Sequence, residues 1–188
     1  MRIAQLLVTL VALALLSSCG PPWTVIVQSG PPSALASVQQ LTVAADRSQM
    51  MISQRPLQQE LAARDPNEQQ ALLEAIATME SSFATGFASQ GGVPTLPATT
   101  APLPNEARIT VRWTYLDPGK YAFVYARDTR ITARVVFTIG ATVVDEIEIT
   151  RGVDANSRQG SIVERVTIGG EAVGRIAGKY LANARAAG

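Results

Sequence analysis

The chain has 188 residues with 16 basic and 15 acidic side chains, one cysteine and no histidine. Lack of histidine excludes Ser-His-Asp and Cys-His catalysis, His-ligated zinc and histidine pH switches, and a near-neutral charge points to neither a nucleic-acid partner nor an anionic-lipid patch. A single cysteine allows no internal disulfide, so stability must come from packing; only carboxylate-based chemistry, such as glycoside hydrolysis by two acids, stays open on composition.

Arg2 precedes an apolar stretch from Ile3 to Leu16, broken by Gln5 and Thr9. As a helix at 1.5 Å per residue this stretch reaches about 21 Å, short of the roughly 30 Å hydrocarbon core, so no permanent span is expected. It leads into Leu16-Ser17-Ser18-Cys19-Gly20. This run resembles the lipobox of a bacterial lipoprotein (type II) signal peptide, with an aliphatic residue three before the cysteine and small residues between. The resemblance implies a signal peptide over residues 1–18, lipidation of Cys19 as the first mature residue, and a lipid-anchored tether over 19–22. An ordinary secretory signal would instead leave a lone exposed thiol in an oxidising compartment. Gly20 stands where an inner-membrane retention signal would carry aspartate, so the expected location is the periplasmic face of the outer membrane. Processing removes Arg2 and leaves 15 basic against 15 acidic residues.

The β-branched run after Trp23 predicts a strand, with Trp23 either at the membrane interface or on the edge of the core. Ser29-Gly30-Pro31-Pro32 reads as a turn. Ala36 to Ala45 alternates weakly and predicts a second strand through Val38, Leu41 and Val43; Met50, Met51 and Ile52 form a third strand or a packed loop. A short helix is expected over Leu57 to Arg64. Asp65-Pro66-Asn67-Glu68 then supplies an N-cap, a proline at the first helical position and an acid in the first turn. Leu72, Ile76, Met79, Phe83 and Phe87 make one apolar stripe, so a central helix over about 66–89 follows. Residues 90–105, with Gly91, Gly92 and four prolines among Thr and Ala, read as a Pro/Thr-rich loop within one domain.

From Arg108 the period becomes two. Ile109, Val111, Trp113 and Tyr115 face one way and Arg108, Thr110, Arg112 and Thr114 the other, a half-buried strand. Asp117-Pro118-Gly119-Lys120 is a turn, and Tyr121 to Ala126 a short strand or aromatic-rich loop. Ile131, Ala133, Val135, Phe137 and Ile139 alternate next, with a hairpin at Gly140-Ala141. The returning arm's apolar set is Val143, Ile147 and Ile149. Both sets are odd-numbered, so facing positions must sum to an even number, which predicts an odd loop, three residues long, and places Arg134 against Glu146 or Glu148. Asp145 falls on the apolar face, marking a bulge, the sheet's rim or a functional position. A last helix over about 161–185 carries Ile162, Val166, Val173, Ile176, Ala177, Tyr180 and Leu181 on one side. Gly170, Gly174 and Gly178 lie one turn apart on it, which calls for close packing within the domain or against a partner. Glu171, Arg175 and Lys179 on the adjoining ridge exclude a membrane span.

Motif by motif, no catalytic, cofactor or metal site emerges. Asp154 to Arg158 lacks the glycine and oxygen ligands of a calcium loop. Asp145, Glu146 and Glu148 split across two strand faces. Trp113, Tyr115, Tyr121, Phe123 and Tyr125 read as core and adjoining loop or as a partner-binding ridge. The expected fold is α+β: a single domain over 23–188, its mainly antiparallel, mixed sheet covered by the central and C-terminal helices. The order of strands and terminal helix over 107–185, with Asp117-Pro118-Gly119 after the first strand and an Ala/Gly-rich last helix, resembles bacterial envelope lipoproteins whose domain is similar to the N-terminal domain of TolB-like proteins. The resemblance implies interaction or assembly work in the periplasm and carries over no site residues. The expected protein is therefore not an enzyme and needs no cofactor. It holds to the membrane through acylated Cys19 and acts on an envelope protein partner; a small-molecule or lipid-binding module is the alternative.

Overall fold

The computed structural model describes residues 21–30, 32–97, 105–122, 125–156 and 160–187. The signal segment, Cys19 and Gly20, Pro31, residues 98–104, Phe123 and Val124, and 157–159 of the rejected calcium loop lie outside the described residues.

The elements in chain order are β1 (Thr24–Gln28), a 3-10 turn (Ala34–Ser37), β2 (Leu41–Asp46), β3 (Met51–Ile52), β4 (Arg55–Pro56), α1 (Leu57–Ala62), α2 (Pro66–Gly91), β5 (Thr95–Pro97), β6 (Ala107–Asp117), β7 (Lys120–Ala122), β8 (Tyr125–Arg127), β9 (Thr129–Ile139), β10 (Thr142–Val153) and α3 (Ile162–Ala186). The main sheet runs β1-β10-β9-β6-β2-β5, with β3 beside the far end of β6 and β4 paired to β3; β7 and β8 form a separate hairpin. Pairing is antiparallel from β1 through β6 and parallel where β2 meets β6 and β5. The molecule is thus a single α+β domain with a mixed sheet and two long helices, as the sequence patterning implies.

Both helices start where their caps dictate. The Asp65 carboxylate accepts from the amides of Asn67 (2.9 Å) and Glu68 (3.0 Å), with Pro66 at the first turn. Ser161 and Glu164 form a reciprocal capping box, the Glu164 amide donating to Ser161 Oγ at 3.1 Å. The apolar stripe of α2 is wholly buried, and it meets α3 at backbone contact. A Cβ placed on Gly170 would lie 2.3 Å from the carbonyl oxygen of Met79, one on Gly174 2.1 Å from that of Phe83, and one on Gly178 2.7 Å from that of Phe87. The three glycines on one helix therefore seat the three-residue ridge Met79, Phe83, Phe87 on the other, and packing inside the domain is what the glycine stripe serves. Beneath the helices lie Trp113, Phe137, Ile109, Val135, Ile147 and Ile149. Trp113 stands edge-on to Phe83 at 6.0 Å between ring centres.

Several local expectations are corrected. The 36–45 segment is not one strand: Ser33 Oγ caps a 3-10 turn by accepting from the Leu35 amide at 3.2 Å, and extended pairing starts only at Leu41. The 90–105 loop is interrupted, because α2 continues to Gly91, Gly92 takes the left-handed C-cap at φ 65°, and Thr95–Pro97 becomes an edge strand on β2. Edge position is what lets Pro97 belong to a sheet. On β6 the register shifts between Trp113 and Tyr115, so Leu116 enters the core in place of Tyr115. The hairpin loop has two residues, not three. Thr142 faces Ile139 across Gly140-Ala141, with Gly140 at φ 58° in the first loop position that a type II′ turn reserves for glycine. A bulge between Val143 and Asp145 then adds the missing residue and restores the even sum, Ile147 facing Val135 and Glu148 facing Arg134. Val143 is consequently exposed, and Val144 is the buried one.

Candidate functional site

The β1 edge of the sheet gathers a buried polar knot and an exposed apolar strand. Asp145 is fully buried on the helix-facing side of β10. Its Oδ1 accepts from the Ser29 amide and the Ser29 hydroxyl, both at 2.8 Å, and its Oδ2 accepts from the Tyr180 hydroxyl at 2.8 Å. Ser29 Oγ in turn accepts from the Ala34 amide at 3.1 Å. One carboxylate thereby ties the end of β1, the 3-10 turn, β10 and α3 together, and both of its oxygens accept hydrogen bonds, as a buried carboxylate requires. Burial raises the Tyr180 hydroxyl's pKa above its ordinary value, and the hydrogen bond to Asp145 adds to the rise. Tyr180 packs against Phe137 and meets Trp23 edge-on, each at 5.6 Å between ring centres. Trp23 therefore lies against the edge of the core.

Outside this knot β1 is unusually apolar. Val25, Ile26 and Val27 are 42%, 44% and 40% exposed, three consecutive large side chains on a strand with one open edge. A register shift between Val25 and Val27 makes Ile26 a bulge. Exposed Val143 lies just past the Gln28–Asp145 pair on the same ladder. Bulges hinder edge-to-edge pairing, so the patch is offered mainly as side chains.

At the far end of β6 a polar cleft of about 510 Å³ is lined by Ser53, Arg55, Glu60, Arg64, Asp117 and Arg127, among others. Its two acids are engaged: Arg127 pairs with Asp117 at 3.0 Å, while Glu60 pairs with Arg64 at 2.8 Å and Arg55 at 3.9 Å. Asp117 Oδ1 also accepts from the Gly119 amide at 3.0 Å. Gly119 sits at φ 63°, and a Cβ there would come 2.4 Å from the Arg127 carbonyl oxygen. Arg165, nearly fully buried, fastens the same corner from α3, donating to Thr129 Oγ1 (2.8 Å), the Gly160 carbonyl (2.6 Å) and the Pro118 carbonyl (3.0 Å). Burial lowers its pKa, against opposing pulls from Glu164 and Asp128. These groups brace a turn.

No protein-family model matches the chain, and no curated protein does. Among solved structures it is similar to the PelC dodecamer from Paraburkholderia phytofirmans, at 12% identity over 81% of this chain and 97% of that one, with a TM-score of 0.39. The PelC L103M dodecamer from the same organism gives 14% identity, 82% and 95% coverage and a TM-score of 0.36.

The residues singled out from sequence separate cleanly. Cys19 lies outside the described residues. Asp145 points into the core, while Glu146 and Glu148 lie on the other face with Arg134, whose Nε is 3.1 Å from Glu148 and whose Nη1 is 3.9 Å from Glu146. The three carboxylates do not converge. Among the described residues no group of three or more Cys, Asp or Glu is placed to hold a metal ion, and no helix is long and apolar enough to cross a membrane. Sequence reasoning missed Ser29 and Tyr180, the partners of Asp145. The one available signal was an acid at an apolar parity position.

Proposed function

We propose that the chain is a non-enzymatic lipoprotein, anchored through acylated Cys19 at the periplasmic face of the cell envelope, that presents β1 to a protein partner. The observation that supports the interaction role is the run Val25-Ile26-Val27, each about two-fifths exposed where an unpartnered strand would carry polar side chains. Its place directly after the 19–22 tether puts the patch near the bilayer, where other envelope proteins are concentrated. The Asp145 knot holds β1 rigidly, so the patch needs no ordering on binding.

A photo-crosslinking residue placed at position 26 of the full chain, in intact envelopes, should give one discrete protein adduct. The same probe at exposed Gln70 on α2 should give none. Equal, diffuse labelling at the two positions, or none at 26, would remove the interaction reading.

A further inference from the structure

On the flank of α3 a groove of about 400 Å³ is lined by Pro22, Gln90, Arg151, Ala172, Arg175, Ile176 and Lys179. Its cations come from separate elements, Arg151 from the end of β10 and Arg175 with Lys179 from successive turns of α3. Glu171 answers one of them, pairing with Arg175 at 2.7 Å. Among the described residues neither Arg151 nor Lys179 is in an ion pair, and both are exposed. The groove is thus net positive in a domain whose overall charge balances. Pro22, Ala172 and Ile176 add apolar lining, and Gln90 supplies an amide. A shallow groove lined by cations, apolar side chains and one amide suits a phosphate diester carried on a glycerol stem.

Position selects the source of that phosphate. Pro22 is three residues from Cys19, and three extended residues span at most about 11 Å. The headgroup layer is itself roughly 5–7 Å deep on each side of the hydrocarbon core. We propose that this groove holds the headgroup phosphate of an anionic phospholipid in the membrane that carries the anchor, which fixes how the domain is oriented on the bilayer. The proposal rests on the lipid-anchored reading above. Its physical basis is the attraction of clustered Lys and Arg for an anionic bilayer surface, which acts within a Debye length and supplements acyl anchoring.

Lys179 makes this measurable, because the chain has only one other lysine, Lys120. The full lipidated protein, reconstituted into phosphatidylcholine vesicles with or without phosphatidylglycerol, is treated with a neutral acetylating reagent, and the two lysines are followed by peptide mass spectrometry. Acetylation of Lys179 should slow roughly fivefold in the anionic vesicles, given the attraction expected per basic residue, while Lys120 changes little. High salt should abolish the protection, as should the double variant Arg151→Gln, Arg175→Gln. Equal Lys179 rates in the two vesicles, or an equal slowing of both lysines, would overturn the groove assignment while leaving the anchor intact. So would protection by inorganic phosphate in neutral vesicles, which would assign the groove to the free ion. Failure of the protein to float with neutral vesicles would instead sink the anchoring reading. The groove is then judged by the same lysine ratio with anionic vesicles added to the protein.

Discussion

At the scale of single residues, Asp145 carries the most consequence. Removing the Tyr180 hydroxyl leaves its Oδ2 buried without a donor, a loss worth about 1–3 kcal/mol. Tyr180→Phe should therefore lower the free energy of urea unfolding by that amount at neutral pH. The pH dependence has a definite sign. Burial and the Asp145 bond raise the phenol's pKa in the folded state, so the unfolded chain loses this proton first, at a pH of about 10. Above that pH the folded state binds more protons than the unfolded one, and stability falls as pH rises. Below it the contribution is complete. Unfolding titrations from pH 8 to 11 should show the decline starting near pH 10 in the native chain and reduced in Tyr180→Phe; identical slopes would remove the linkage. Asp145 was legible as an anomaly, because an acid at an apolar parity position marks a bulge, the sheet's rim or a functional position. The structure has the bulge, between Val143 and Asp145, and adds buried donors to the carboxylate. Ser29 and Tyr180 were not legible, since 116 and 35 residues separate them from Asp145 and nothing local connects them.

At the scale of elements, the crossing of α2 and α3 depends on absent side chains. Gly174→Ala should gain about 1 kcal/mol of helix propensity, yet its Cβ would meet the backbone of Phe83 and Phe87 at 2.1 and 2.8 Å. Backbone cannot rotate away, so overpacking of about 1–3 kcal/mol or more should win. Gly169→Ala is the control. Its Cβ would press on the terminal Cδ1 of Ile131 at 2.4 Å, an atom that a rotamer change can move, so the net change should stay within about 1 kcal/mol of zero. Equal losses in chemical denaturation would contradict the backbone-contact account. Helices and long strands were readable because their signals are periodic: the α2 stripe and the inward set of β9 fall where the spacing puts them. The bulge at Thr114 was not, because it inserts one residue without local signature and flips the faces beyond it, while the bulge at Val144 was marked only by the acid beside it, Asp145. That is why Tyr115 and Val143 leave the core while Leu116 and Val144 enter it. Parity still required an even pairing sum, and the bulge met it where a three-residue loop was expected.

At the scale of the whole molecule, a balanced charge count conceals an uneven distribution. Arg151, Arg175 and Lys179 look unrelated along the chain, and only the packing of α3 over β10 brings them beside Pro22. Pro22, which lines the cationic groove, leads directly into the exposed apolar strand β1, and this arrangement fits the anchored interaction module proposed above. The proposed function of that arrangement depends on covalent attachment at Cys19. The direct test is metabolic labelling with palmitate in a bacterial host, comparing the full chain with Cys19→Ala and following both through envelope fractionation. Label in the native chain, its absence from the variant, and recovery of the native chain with the membrane fraction are the expected result. An unlabelled native chain, released as soluble protein with a free thiol or an intact leader, would contradict it.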